Sequence, residues 1–305
     1  MKPHTPMTKS PRGVAREALA LARQSLPAYS SARSRKDFTC HQLFAILALK
    51  TFLKTDYRGV VQFLADFAEL RDDLGLSKVP HYSTLSYAEQ RLLKKGEFVL
   101  LLFRAATSAS DRGLIGEKPT AAVDGTGLES RHTSRYFARR SGAEQATWTK
   151  LTVAVDTASH FLAGATVTTG PSNDSPQFKP VLAQASLAVV WDRVLADAAF
   201  DTEAHHAYAR DELGIRSSVI PINPRGHDGP PGGKYRSQMP RRFAPKPDGS
   251  RSRRVFGQRW QAESAFSRHK RRLGSALYGK SDDSRERECR LRVLTHNIML
   301  LAATG

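Results

Sequence analysis

The sequence predicts an α/β fold in which a helical segment precedes a mixed sheet with helices on its faces. Three observations carry this. Apolar residues recur at three and four residues from Thr39 to about Ala109, the period of an α-helix. At Lys118-Pro119 the pattern changes to short runs rich in Val and Thr, which read as strands. From Ser175 onward helical and strand patterns alternate, which puts helices against a sheet.

The elements follow in order. Residues 1–36 read as a basic N-terminal arm, with a short Ala/Leu-rich helix from Val14 to Leu26 stopped by Pro27. Residues 37–115 read as a helical domain. Thr39 is a cap ahead of Leu43, Phe44 and Leu47. Val60 to Ala68 forms the next helix and Asp72 to Pro80 a turn. Ser83 caps a helix carrying Leu85, Tyr87 and Leu92, and Phe98 opens another. Residues 116–305 read as the sheet domain. Strands are predicted at Thr120–Val123, Trp148–Asp156, Phe161–Thr168, Val194–Ala196 and Ile215–Ile220. Helices are predicted from Ser175, at Thr202–Leu213, at Val255–Leu273 and at Arg285–Leu301. Between them, residues 221–254 are rich in Pro, Gly and Ser, with nine Lys/Arg against two Asp, and read as a basic loop. Three consecutive strands followed by alternating helices and strands is the order of ribonuclease-H-like domains.

Charge narrows the class of partner. Forty-seven Lys and Arg against 29 Asp and Glu give +18. So positive a surface repels itself unless a polyanion neutralises it, and nucleic acid is the expected partner. The two cysteines, Cys40 and Cys289, cannot make a disulfide framework or a four-ligand zinc site. No signal-peptide pattern opens the chain and no apolar run approaches about 18 residues, so a soluble intracellular protein without membrane contact is expected.

Two aspartates stand at predicted strand ends. Asp124 follows Thr120–Val123 and Asp197 follows Val194–Ala196. Ligands bind at the carboxyl ends of strands in such sheets; an Asp after a strand also simply starts turns. The third element lies on the predicted helix after the basic loop. Phe256, Arg259, Glu263 and Lys270 fall within an arc of about 60° on one face over about 20 Å. Carboxylates with adjacent Arg and Lys suit phosphodiester chemistry, in which a pair of Mg²⁺ ions about 3.5–4 Å apart neutralises charge and cations grip flanking phosphates.

These residues resemble bacterial insertion-sequence transposases of the DDE class that carry a Tyr-Arg-Glu-Lys signature. Arg259, Glu263 and Lys270 match its spacing, and Phe256 stands where the tyrosine would be. The missing hydroxyl removes one hydrogen bond worth about 1 kcal/mol. Asp124-Gly125-Thr126 resembles the first-aspartate motif, and Ala196-Asp197-Ala198-Ala199-Phe200-Asp201 the second, with Asp197 as the matching member and Asp201 as its rival. Lys150 to Asp156, Gly170 to Ser175, and Pro80 to Leu85 resemble further family segments.

The resemblance implies a ribonuclease-H-like catalytic core preceded by a helical DNA-binding domain. It implies Asp124, Asp197 and Glu263 as catalytic residues and metal ligands for two Mg²⁺, with Mn²⁺ as a substitute. Arg259, Lys270, Arg241, Arg242, Arg253 and Arg254 are the expected contacts to DNA phosphate. Expected partners are the element's terminal inverted repeats and target DNA, held by a homodimer in the bacterial cytoplasm at the nucleoid. A silent or domesticated DNA-binding relative, and a basic RNA-binding protein, are the other readings.

Remaining residues read plainly. Asp156, Asp174 and Asp192 are expected in structural or turn positions. His205 and His206 are adjacent on a helix and cannot both face one site. Gly125-Thr126-Gly127 lacks the rest of a phosphate loop. Residues 83–95 are a candidate recognition helix.

Overall fold

The computed structural model describes residues 5–130, 148–224, 230–244 and 253–304, with side chains from residue 255 in the last stretch. Helix α1 (Pro11–Ser25) starts where the Ser10 side chain accepts from the Gly13 N–H and Pro11 presets the first turn. Its Val14, Ala15, Ala18, Leu19, Leu21 and Ala22 are buried, so the predicted arm carries a packed helix. α2 (Cys40–Phe52) opens with a reciprocal capping box between Thr39 and Gln42. It is apolar all round from Leu43 to Leu49 and runs through the core.

α3 (Tyr57–Asp66) and α4 (Ala68–Leu74) split at Phe67, and Gly75 ends α4 at φ 61°. The period predicted one helix through Ala68 and a turn from Asp72; the extended Phe67 backbone breaks that helix and α4 uses the turn's first residues. α5 (Tyr82–Leu92) and α6 (Lys95–Asp111) complete the helical segment.

The sheet holds β1 (Thr120–Ser130), β2 (Trp148–Asp156), β3 (Leu162–Gly170), β4 (Arg193–Ala196), β5 (Ser217–Val219) and the short β6 (Ala276–Leu277). Their order is β3-β2-β1-β4-β5, with β6 pairing β1. β1, β2 and β3 are antiparallel, whereas β1, β4 and β5 are parallel. This mixed sheet behind a helical N-terminal segment is the ribonuclease-H-like arrangement the sequence predicts.

α7 (Phe178–Ala185) lies close over β3, because Gly164 presents no side chain beneath it; a Cβ there would sit 2.2 Å from the Val181 carbonyl oxygen. α8 (Glu203–Ala207) follows β4, and α9 (Met239–Phe243) lies within the predicted basic loop. Of that loop, 225–229 and 245–252 lie outside the described residues. The predicted helix 255–273 is interrupted. α10 (Arg253–Phe256) gives way to a 3-10 turn at Gly257–Arg259 before α11 (Trp260–Leu273). The tighter winding turns Phe256 away from the stripe, and its ring packs edge-on to Phe243 at 5.1 Å.

α12 (Asp282–Leu301) closes the fold, capped by Ser281. From Leu291 to Leu301 it is buried on every side. It packs on α1, α2 and α6 and also on β3. At β3 the Asn297 side chain accepts from the Leu162 N–H and donates to the Leu162 carbonyl, replacing a neighbouring strand at that edge. Among the described residues no helix is long and apolar enough to cross a membrane.

Candidate active site

β1 and β4 run parallel with Val123 opposite Ala196, the last pair between them. Asp124 is the next residue of β1, and Asp197 is the residue that follows β4. Neighbouring strands lie about 4.8 Å apart, so the two carboxylates emerge side by side. Asp124 does not end its strand, as the sequence pattern suggested. β1 continues to Ser130 because β2 pairs with it as far as Leu128, while β4 stops.

Each aspartate is held by its own backbone. An oxygen of Asp124 accepts from the Gly125 N–H at 2.9 Å. An oxygen of Asp197 accepts from the Ala199 N–H at 2.9 Å and opens the 3-10 turn Ala198–Phe200. Phe200 anchors that turn, buried against Phe178 with ring centroids 5.9 Å apart.

α11 brings the third carboxylate over the same face of β1. Arg259, just before the helix, donates from Nη1 to Asp124 at 3.2 Å and from Nη2 to Glu263 at 2.6 Å. Glu263 itself is exposed. Three turns along, Lys270 donates to the Thr126 hydroxyl at 2.8 Å and to the Gly127 carbonyl at 2.9 Å. Arg259, Glu263 and Lys270 therefore share the face of β1 that carries Asp124. Both cations engage protein oxygens.

The electrostatics follow from burial. Withdrawal from solvent raises the Asp124 carboxyl to about 6, and the charges of Asp197 and Glu263 add to the rise. The Gly125 N–H and Arg259 act in the opposite direction. Burial likewise lowers Lys270 below the ordinary lysine value. Three mutually repelling carboxylates with hard oxygens are the donor chemistry that suits Mg²⁺ or Mn²⁺. With Arg259 between Asp124 and Glu263, no three acidic, His or Cys side chains among the described residues are grouped closely enough to hold an ion. In kind, the carboxylate oxygens of Asp124, Asp197 and Glu263 are donors that a hard divalent cation takes.

Asp201 is a different kind of residue from Asp197. It is 1% exposed, paired with Arg236 at 2.8 Å, and accepts from the Asn223 N–H at 2.8 Å. It ties the two sides of the 221–254 segment to the turn after β4. Asp156 is buried and accepts from the backbone and hydroxyl of Ser159 in the β2–β3 turn. Asp174 pairs with Lys150 at 2.7 Å beside Gly125, where a Cβ would come within 2.5 Å of the carboxylate. Sequence reading missed the Lys150 and Arg236 pairings. A lysine alternating among the Val and Thr of β2 is the one signal that could have suggested the first. His205 stacks on Phe178 and bonds the Phe200 carbonyl, while His206 bonds Ser218. The two histidines have separate packing partners.

The expected phosphate contacts divide. Arg241 is exposed on α9, and Arg242 bonds the Ser217 hydroxyl at 2.9 Å. Arg253 and Arg254 begin α10, and their side chains lie outside the described residues.

Comparison with known proteins gives this geometry a family. No curated protein matches the chain. The sequence pattern of the transposase DDE domain matches residues 115–298. That span begins just before β1 and ends within α12, so it contains the whole sheet, both aspartates and Glu263. Covering more than half of the protein, it shows that this chain belongs to the transposase DDE domain family.

Proposed function

We propose that this chain is an active insertion-sequence transposase that cuts DNA at the element's ends and joins the freed ends to target DNA. The observation that carries the reading is the side-by-side emergence of Asp124 and Asp197 past the last β1–β4 pair, with Glu263 tied to Asp124 through Arg259. Asp124, Asp197 and Glu263 would hold a pair of Mg²⁺ ions, with Mn²⁺ as a substitute. Bound there, the ions would neutralise phosphate charge and assist both the attacking and the departing oxygen.

The chain's own residues do the rest. Cleavage adds water across a P–O3′ bond, leaving a 3′-hydroxyl and a 5′-phosphate. In strand transfer that hydroxyl forms a P–O bond in the target as the target's own P–O3′ bond breaks. Arg259 orients Asp124 and Glu263 while DNA is absent and offers a planar fork to phosphate when the carboxylates are otherwise engaged. Lys270 holds β1 at Thr126 and Gly127, and its ammonium stands one residue layer from Asp124. The helical segment 37–115 and the basic segment 221–254 would bind terminal DNA, with two copies working on paired ends.

The test is nicking and joining of duplex DNA, including the DNA flanking the gene, by purified protein with Mg²⁺ or Mn²⁺ beside Asp124→Asn. Metal-dependent products lost in the variant support the reading. Binding without cutting, with both metals and both proteins, would instead identify a silent DNA-binding relative.

A further inference from the structure

A second charged site lies at the other end of β4. Arg193 begins that strand and pairs in register with Ser217 of β5, the edge strand. Around them Arg193, Arg216, Arg241 and Arg242 line a pocket of about 430 Å³, walled by Phe243 and Phe256. Arg193 precedes Asp197 by four residues of extended chain, about 13 Å, so this pocket is separate from the carboxylates.

Its charges are not balanced from within. Asp192 pairs with Arg216 at 2.7 Å and stands 3.7 Å from Arg193. Arg242 is exposed, and its described hydrogen-bond partner is the neutral Ser217 hydroxyl. Arg210 adds its charge nearby; it lies over the Tyr235 ring at 4.3 Å, and its buried Nη1 has no hydrogen-bond partner among the described residues. Partial desolvation of its guanidinium, then repulsion from Arg210, Arg193 and Arg216, holds Arg242 below the ordinary arginine value. Like charges gathered around one pocket repel one another, and an anion seated there would relieve that repulsion.

We propose that this pocket binds a backbone phosphate of DNA away from the scissile one, and so anchors the duplex along the β4–β5 edge. Guanidinium forks bind phosphate oxygens bidentately, and the Ser217 hydroxyl supplies a neutral donor. Arg241, which lines the pocket and lies within the basic segment, is exposed, as contact with a long polyanion requires. The inference rests on the transposase reading only in taking DNA as the polyanion.

The experiment measures duplex affinity against salt for the full chain, Arg242→Gln and Arg241→Ala. Each lost phosphate contact should flatten the slope of log affinity against log salt by about 0.9. The arginine variants should weaken binding by about tenfold near 0.1 M salt, a change in keeping with loss of a charged hydrogen bond. Arg241 is exposed, so its variant reports on binding even if Arg242→Gln folds poorly. Parent-like affinity and slope in Arg241→Ala together with a folded Arg242→Gln would overturn the proposal. So would inorganic pyrophosphate binding as tightly as the duplex in a manner lost in Arg242→Gln, since that marks a site for free phosphate. Loss of binding in the arginine variants, with no cleavage by the parent, would uphold the pocket and sink the catalytic reading.

Discussion

One guanidinium spans two carboxylates of the candidate site: Arg259 donates to Asp124 through one terminal nitrogen and to Glu263 through the other. It offsets part of the repulsion that, with burial, raises Asp124 to about 6. Removing it should therefore affect function more than folding. Arg259→Gln is expected to lower cleavage by about 10²–10³-fold, the usual loss when one preorganised donor is removed. Its circular dichroism and melting temperature should stay close to those of the parent. A strongly destabilised variant would mean that Arg259 is a structural clamp instead.

Metal should act through the same carboxylates. Mg²⁺ or Mn²⁺ that binds the folded chain alone raises its stability by mass action, by about 2.7 kcal/mol at a hundredfold excess over Kd. Thermal melts with and without the ion should show this in the parent. The increment should vanish in an Asp124→Asn, Asp197→Asn double variant; an unchanged increment would locate the ion elsewhere.

Asp197 and Asp201 should separate by experiment. Arg236→Ala strips the partner from a carboxylate that is 1% exposed, and breaking such a pair costs about 3–5 kcal/mol. Asp197→Asn leaves no comparable orphan. Urea unfolding should show a large loss in the first and a small one in the second, whereas activity should be lost in both.

Glycines set two close approaches. Gly164→Ala drives a Cβ against a backbone carbonyl of α7, and Gly125→Ala drives one against the Asp174 side chain. Overpacking of this kind costs about 1–3 kcal/mol, and the backbone clash should cost more because it cannot rotate away. Equal stabilities for the two variants would contradict the packing described.

Acid should weaken the fold through buried histidines. Burial lowers His206 from 6.5 to about 4, so it stays neutral in the native state. Between those values the unfolded chain binds a proton that the native chain does not. Its contribution to stability is whole above pH 6.5 and declines as pH falls toward 4. His206→Gln should reduce proton uptake on unfolding near pH 5 by about one, read from the pH dependence of unfolding free energy. An unchanged slope would place that histidine in solvent.

Much of this was legible in the residues themselves. The apolar runs ahead of Asp124 and Asp197 marked two strands, because buried strands need them. The continuation of β1 was not legible, since Gly125-Thr126-Gly127 reads as a turn and only pairing with β2 makes it strand. Nor could one strand's sequence distinguish Asp197 from Asp201; that choice depends on Arg236, which comes from a distant loop. The helix period predicted one unbroken face from Phe256 to Lys270, but the 3-10 turn at Gly257 gives Phe256 to another pocket. Arg259 was expected on phosphate, and its bridging of two carboxylates is a tertiary relation that no spacing reveals.

The most direct test of the central claim is Mg²⁺-dependent strand cleavage by Glu263→Gln, with DNA affinity measured on the same preparation. The account predicts that cleavage is abolished while affinity is retained, because Glu263 serves the chemistry and is exposed enough to be replaced without loss of packing. Full Mg²⁺-dependent cleavage by Glu263→Gln would contradict it.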